Sequence, residues 1–153
     1  MSLTIFLDTG PLGLVTNPKK TPETIAIAQW VFDMEAAGHR FIVPAIADYE
    51  VRRELIRAGK ARGLARLNAF NAAEAERFLS VTNSALLLGA DLWASARNSG
   101  TATADPKELD ADVLIAAQAL DMGLPSSDFV IATVNVGHLS LFAPADLWSN
   151  IVP

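Results

Sequence analysis

Four short apolar runs, each built largely from β-branched, aliphatic and aromatic residues, constrain this chain more than any other feature. They are Thr4 to Leu7, Phe41 to Val43, Phe78 to Thr82 and Phe129 to Thr133. Runs of this length are those of buried strands and are too short for helices. Each is separated from the next by a stretch long enough to hold crossover helices, as parallel strands require. The pattern predicts an α/β domain, with a small central parallel sheet of about four to five strands flanked by helices on both faces.

The intervening segments carry their own punctuation. Thr21 as cap and Pro22 in the first turn open a helix that stops near Gly38. Its apolar residues fall into two stripes, Ile25, Ala28, Val31 and Phe32 on one and Ile27, Trp30 and Met34 on another, so one face is left for a second layer or a partner. Ile46 to Ala58 is helical with Gly59 as its stop, and Leu64 to Glu76 continues as helix with Leu67 and Phe70 inward. Asn83 caps a helix over Ala85 to Arg97 that ends at Asn98-Ser99-Gly100. Asp105-Pro106-Lys107-Glu108 has capping-box form and opens a helix to Met122, stopped by Gly123, with Leu109, Val113, Ala116 and Leu120 facing the core. Asp8-Thr9-Gly10-Pro11 reads as the turn that ends the first strand, and a last extended piece is expected near Leu141 to Ala143.

With 153 residues and 51% hydrophobic content the chain, 1–153, reads as a single domain able to bury its own core without disulfides. Cysteine is absent, which excludes thiolate metal sites and Cys nucleophiles and fits a cytoplasmic setting. No apolar run reaches the ~18 residues of a membrane span, so no membrane role is expected. The net charge of −5 argues against indiscriminate binding to polyanions. The charges are nevertheless segregated. Six of the 12 basic residues lie between Arg52 and Arg66, and six of the 17 acidic ones between Asp105 and Asp128. A polyanion that needs a cation in its cleft would use both.

Asp8 stands at the carboxyl end of the first predicted strand, where open parallel sheets place their ligand crevice. Four segments then occur in order: Ile5-Phe6-Leu7-Asp8-Thr9, Ala47-Asp48-Tyr49-Glu50-Val51-Arg52-Arg53-Glu54-Leu55, Asp112-Val113-Leu114-Ile115-Ala116-Ala117-Gln118-Ala119 and Ile131-Ala132-Thr133-Val134-Asn135. Together they resemble the PIN-domain ribonucleases, and within that superfamily the VapC-like toxins of toxin-antitoxin pairs. The resemblance runs from Ile5 to about Trp148.

It implies a PIN-like fold and a metal-dependent endoribonuclease in which Asp8, Glu50 and Asp112 hold Mg²⁺ or Mn²⁺ and Asn135 falls at the fourth catalytic position. Thr9 and Thr133 match supporting hydroxyl positions. It further implies an RNA substrate, an antitoxin protein as partner and a homodimer. His138 matches a position after the Asn that is often Asp or His in the family, and Gly10 stands where the family often has Asn. Asp110 and Asp112 flank the predicted core face symmetrically, so helix geometry does not choose between them; the Asp-Val-Leu-Ile-Ala-Ala run selects Asp112.

The chemistry of such a cluster is coherent. Carboxylates at close range repel unless a hard cation lies between them, and oxygen ligands without His or Cys select Mg²⁺ or Mn²⁺ over zinc. Arg53 and Arg57, one and two turns beyond Glu50, are the expected contacts to RNA phosphate. Two other readings stand beside this one. Asp8-Thr9-Gly10 is also the tripeptide of aspartic proteases, but it occurs once and in a helix-rich chain. A catalytically weak PIN-like module that binds RNA or a partner is the alternative that Gly10 and Asn135 support.

Overall fold

A computed structural model describes residues 2–100 and 106–153. The chain alternates as the apolar runs predict: β1 (Thr4–Leu7), α1 (Thr9–Thr16), α2 (Pro22–Ala36), β2 (Arg40–Pro44), α3 (Ala45–Arg57), α4 (Ala61–Ala72), β3 (Phe78–Leu79), α5 (Asn83–Asn98), α6 (Pro106–Asp121), β4 (Phe129–Thr133) and β5 (Ala145–Leu147). All strand pairs are parallel, in the spatial order β3-β2-β1-β4-β5. Crossovers step outward from β1 to β3 and then return past β1 to β4. With right-handed connections this puts helices on both faces.

β1 is the centre of the sheet, and Thr4 to Leu7 are buried throughout. Two buried faces explain why these strands read as continuous apolar runs rather than alternating ones. Phe6 meets Phe129 edge to face at 5.8 Å, and Trp30 packs against Phe41 at 5.1 Å and Trp148 at 5.6 Å. The Trp30 indole N–H donates to Ile151 O at 2.8 Å, so this buried tryptophan is satisfied and anchors the chain end to α2.

Local chemistry sets the helix ends. Thr21 and Thr24 form a reciprocal capping box, Thr24 N donating to Thr21 Oγ1 at 3.1 Å and Thr21 N to Thr24 Oγ1 at 2.8 Å. Gly38, Gly59, Gly100 and Gly123 all adopt positive φ just beyond α2, α3, α5 and α6, as the sequence reading of their stops requires. Gln118 is buried on α6; its Nε2 donates to Leu79 O at 2.9 Å and its Oε1 accepts from Ile46 N at 3.2 Å. One amide thereby ties α6 to the ends of both β2 and β3.

Several expectations need correction. Asp8-Thr9-Gly10-Pro11 is the start of α1 rather than a turn, because Pro11 falls in the first turn, where its missing N–H costs nothing. The helix expected over Leu64 to Glu76 begins at Ala61 and ends at Ala72; Glu76, at φ 63°, then turns the chain into β3. β3 keeps only Phe78 and Leu79 of the expected run to Thr82. Thr82, not Asn83, caps α5, its hydroxyl accepting from Ala85 N at 3.0 Å while also donating to Asp121 at 2.7 Å on α6. Around Leu141 to Ala143 the chain is not extended. A 3-10 turn occupies Leu139–Leu141, and the edge strand follows it at Ala145–Leu147. The expected cap at Asp105 lies outside the described residues.

Candidate active site

The strand order reverses between β1 and β4, and the carboxyl ends of those two strands define a crevice. Asp8 follows β1 directly and Thr133 ends β4. The Thr133 hydroxyl, 2.7 Å from Asp8 Oδ2, spans 125 positions of sequence to make the contact. A hydroxyl has one proton. Donated to the carboxylate, it leaves the oxygen to accept from Asn135 N at 3.1 Å, so Asn135 fixes Thr133 and Thr133 fixes Asp8. Asp8 is also the residue before α1, but its side chain does not close the N-cap hydrogen bond. It is turned to the crevice instead.

Glu50 arrives from α3. Its Oε1 accepts from the Thr9 hydroxyl at 2.6 Å, and Arg53 Nη2 stands 3.6 Å from its Oε2. The Arg53 guanidinium in turn lies 5.1 Å from the centre of the exposed Tyr49 ring. Burial pushes the Asp8 carboxyl above its ordinary value; bonds from Thr133 and the Thr9 backbone pull it back, and the negative charge of Glu50 adds to the rise. Asp8 and Glu50 therefore share one electrostatic site, each held by a threonine.

The remaining residues fall as follows. Asp112 is half-buried on α6, six residues before Gln118, or roughly 9 Å along the helix axis. Asp110 is exposed, a difference that helix geometry alone did not supply. Asn135 is exposed, and its Oδ1 accepts from Gly137 N at 3.1 Å, so its carbonyl end builds the loop after β4. His138 is half-buried at the start of the 3-10 turn. Gly10 has a steric reason. A Cβ there would stand 2.7 Å from Val134 Cγ2, so any larger residue would have to displace the Val134 side chain for α1 to approach the end of β4 this closely.

The groups that Asp8, Glu50 and their threonines could offer a cation are all oxygens, and a hard divalent cation such as Mg²⁺ or Mn²⁺ fits that donor set. It would also relieve the repulsion and burial that raise the Asp8 carboxyl. Among the described residues no three His, Cys, Asp or Glu side chains are grouped tightly enough to hold an ion as they stand.

A groove of ≈ 940 Å³ runs away from Thr9 and Glu50 between α1 with its following loop and the α3–α4 hairpin. Leu14, Val51 and Leu55 contribute to its floor. Sequence reasoning could not see this groove, because one wall is the helix read as a turn.

No protein-family model matches the sequence, and no curated protein does. Solved structures do. The chain has a PIN-like α/β fold shared with chains of solved VapBC and FitAB complexes. It is similar to a chain of the VapBC2 complex of Rickettsia felis bound to a DNA fragment from its promoter, with 13% identity and a TM-score of 0.68 over 95% of this chain and 99% of that one. FitAcB from Neisseria gonorrhoeae gives 18% and 0.66 over 96% and 99%. DNA-bound VapBC from Salmonella typhimurium gives 20% and 0.61 over 95% and 98%. At such identities the likeness is one of fold.

Proposed function

We propose that this protein is a Mg²⁺- or Mn²⁺-dependent endoribonuclease and the toxin of a toxin-antitoxin pair. The observation that carries the proposal is the Asp8–Glu50 pair at the strand switch point, each carboxylate oriented by a threonine hydroxyl, at the mouth of a long groove. The fold it shares with VapBC and FitAB components along nearly the whole chain supports the antitoxin partner.

Asp8, Glu50 and Asp112 would hold the metal. When bound, Mg²⁺ or Mn²⁺ supplies an acidified water and neutralises charge growing on the phosphate oxygens. The chain's own part is orientation. Thr133 and Thr9 each leave one carboxylate oxygen of Asp8 and Glu50 outside their own bond, and Asn135 keeps Thr133 turned toward Asp8. The groove admits an extended strand and brings one phosphate to the pair.

Two further parts belong to the same reading. The exposed stripe of Ile25 and Phe32 on α2 suits a homodimer contact. Among the described residues no helix is long and apolar enough to cross a membrane, and the absence of cysteine suits the cytoplasm.

A binding module with weak catalysis is the second reading. The lack of a ready three-ligand group among the described residues favours it. Incubating the purified protein with structured and single-stranded RNAs under Mg²⁺, Mn²⁺ or chelator, beside Asp8→Asn and Asp112→Asn, separates the two. Metal-dependent cutting lost in both variants is expected. Equal cutting by all three proteins, or no cutting together with equal Mn²⁺ binding, would remove the nuclease.

A further inference from the structure

Most of the basic segment after Glu50 is already engaged within the fold. Arg52 makes a two-pronged contact with buried Asp48, at 2.9 Å and 3.1 Å. Arg53 is drawn to Glu50, and Arg57 is bonded through Nε to Glu54 at 2.9 Å. Arg66 reaches back across the hairpin, its Nε donating to Thr16 O at 3.1 Å, and so satisfies a carbonyl at the end of α1. A guanidinium that faces a carboxylate, as in Arg52, Arg53 and Arg57, adds less free positive charge to the surface, whereas Arg66, among the described residues, bonds only carbonyls and keeps its charge but does not line the groove. Arg53 and Arg57, the expected phosphate contacts, are therefore poor candidates for that role.

Lys60 and Arg62 differ. Both are exposed at the turn into α4, and among the described residues neither side chain has an ion pair or hydrogen bond. Lys19, which follows α1 on the opposite wall, is in the same condition. All three line the one groove whose other end holds Thr9 and Glu50. Glu54, the other carboxylate on that groove, is matched by Arg57. The groove thus carries Glu50 at one end and, toward the other, three cations without a direct ion pair or hydrogen bond among the described residues, with Lys60 also in Coulombic range of Glu54.

We infer that Lys19, Lys60 and Arg62 form the phosphate path for single-stranded RNA, the strand leaving the acidic pair along the α1–α3–α4 groove. This rests on the ribonuclease reading for its substrate class but not for its evidence, which is that Lys19, Lys60 and Arg62 line the groove without a direct side-chain partner among the described residues while Arg52, Arg53 and Arg57 face carboxylates. A single strand suits the groove because its backbone can follow a curved wall with cations on both sides.

The test measures affinity for a fluorescein-labelled single-stranded oligoribonucleotide as a function of salt, with Asp8→Asn protein so that the RNA stays whole. Each phosphate contact contributes about 0.7 to the slope of log K against log salt for single strands. Lys19→Ala, Lys60→Ala and Arg62→Ala are each expected to lower the slope by about that amount, and the triple variant by about 2. Arg57→Ala should leave it unchanged. An unaltered slope in the triple variant, a loss in Arg57→Ala instead, or no RNA binding at low salt overturns the path. Metal-dependent cleavage by the otherwise wild-type triple variant at undiminished KM would do so while leaving the nuclease intact. Loss of slope in a protein that never cleaves would keep the path and remove the nuclease.

Discussion

Thr133 is fully buried, has one proton to give, and gives it to a carboxylate that burial already disfavours as an anion. Removing that donor should matter more than a neutral hydroxyl usually does. Thr133→Val, which keeps the shape, is expected to lower metal-dependent cleavage by about 10- to 100-fold, read from kcat/KM, as loss of an outer partner of a metal-site residue generally does. The same carboxylate gives a pH prediction. Its folded value lies above the ordinary 3.8, so between those two values the folded state holds more of the proton than the unfolded state. Stability of the metal-free protein therefore falls as pH rises through that window and stays lower above it. Asp8→Asn should raise the Tm of chelator-treated protein at pH 7, and the gain should vanish below the ordinary value of 3.8. Mg²⁺ should then raise the Tm of the wild type and not of the variant.

At the scale of elements, α1 is held from both ends by contacts that its own sequence does not announce. Gly10 lets it close on Val134, and Arg66 of α4 satisfies its last turn. Gly10→Ala is expected to cost about 1–3 kcal/mol by overpacking. Val134→Ala should restore most of that in denaturant titrations, since the clash is with the Val134 side chain. This helix also marks where sequence reading stops. Thr21-Pro22, Gly59, Gly100 and Gly123 punctuate the other helices with residues that have one structural meaning, and those boundaries were legible to within a few residues. Gly10-Pro11 and Gly13 have several meanings, and only the packing of α1 against α3 and β4 selects helix. β3 and β5 were blurred for a related reason, being so short that their pairing partners define them. Of the residues that the sequence assigns to the site, Thr133 bonds Asp8 and Thr9 bonds Glu50, contacts that no spacing along the chain could show. The pairing of Arg52 and Arg57 was not legible either, because whether a cation is spent depends on what folds beside it.

Across the whole molecule, surface apolar residues are unevenly spread, and α2 carries two of the larger ones, Ile25 at 58% and Phe32 at 68% exposure. In a homodimer sealed there, Phe32→Asp should convert the solution mass from twice that of the chain to the chain's own, as light scattering would report. The site itself is global in another sense. Asp8 and Thr133 lie 125 positions apart, and the bond between them joins strands that are neighbours only once β4 has docked against β1. During synthesis the first acidic residue leaves the ribosome long before the partner that orients it. A nascent or prematurely terminated chain that ends before Phe129 carries Asp8 and Glu50 yet lacks the threonine that orients Asp8. For a protein whose activity would be directed at RNA, the order of translation would then act as a safety catch, since the Asp8–Thr133 contact can form only once β4 has been made and has docked against β1.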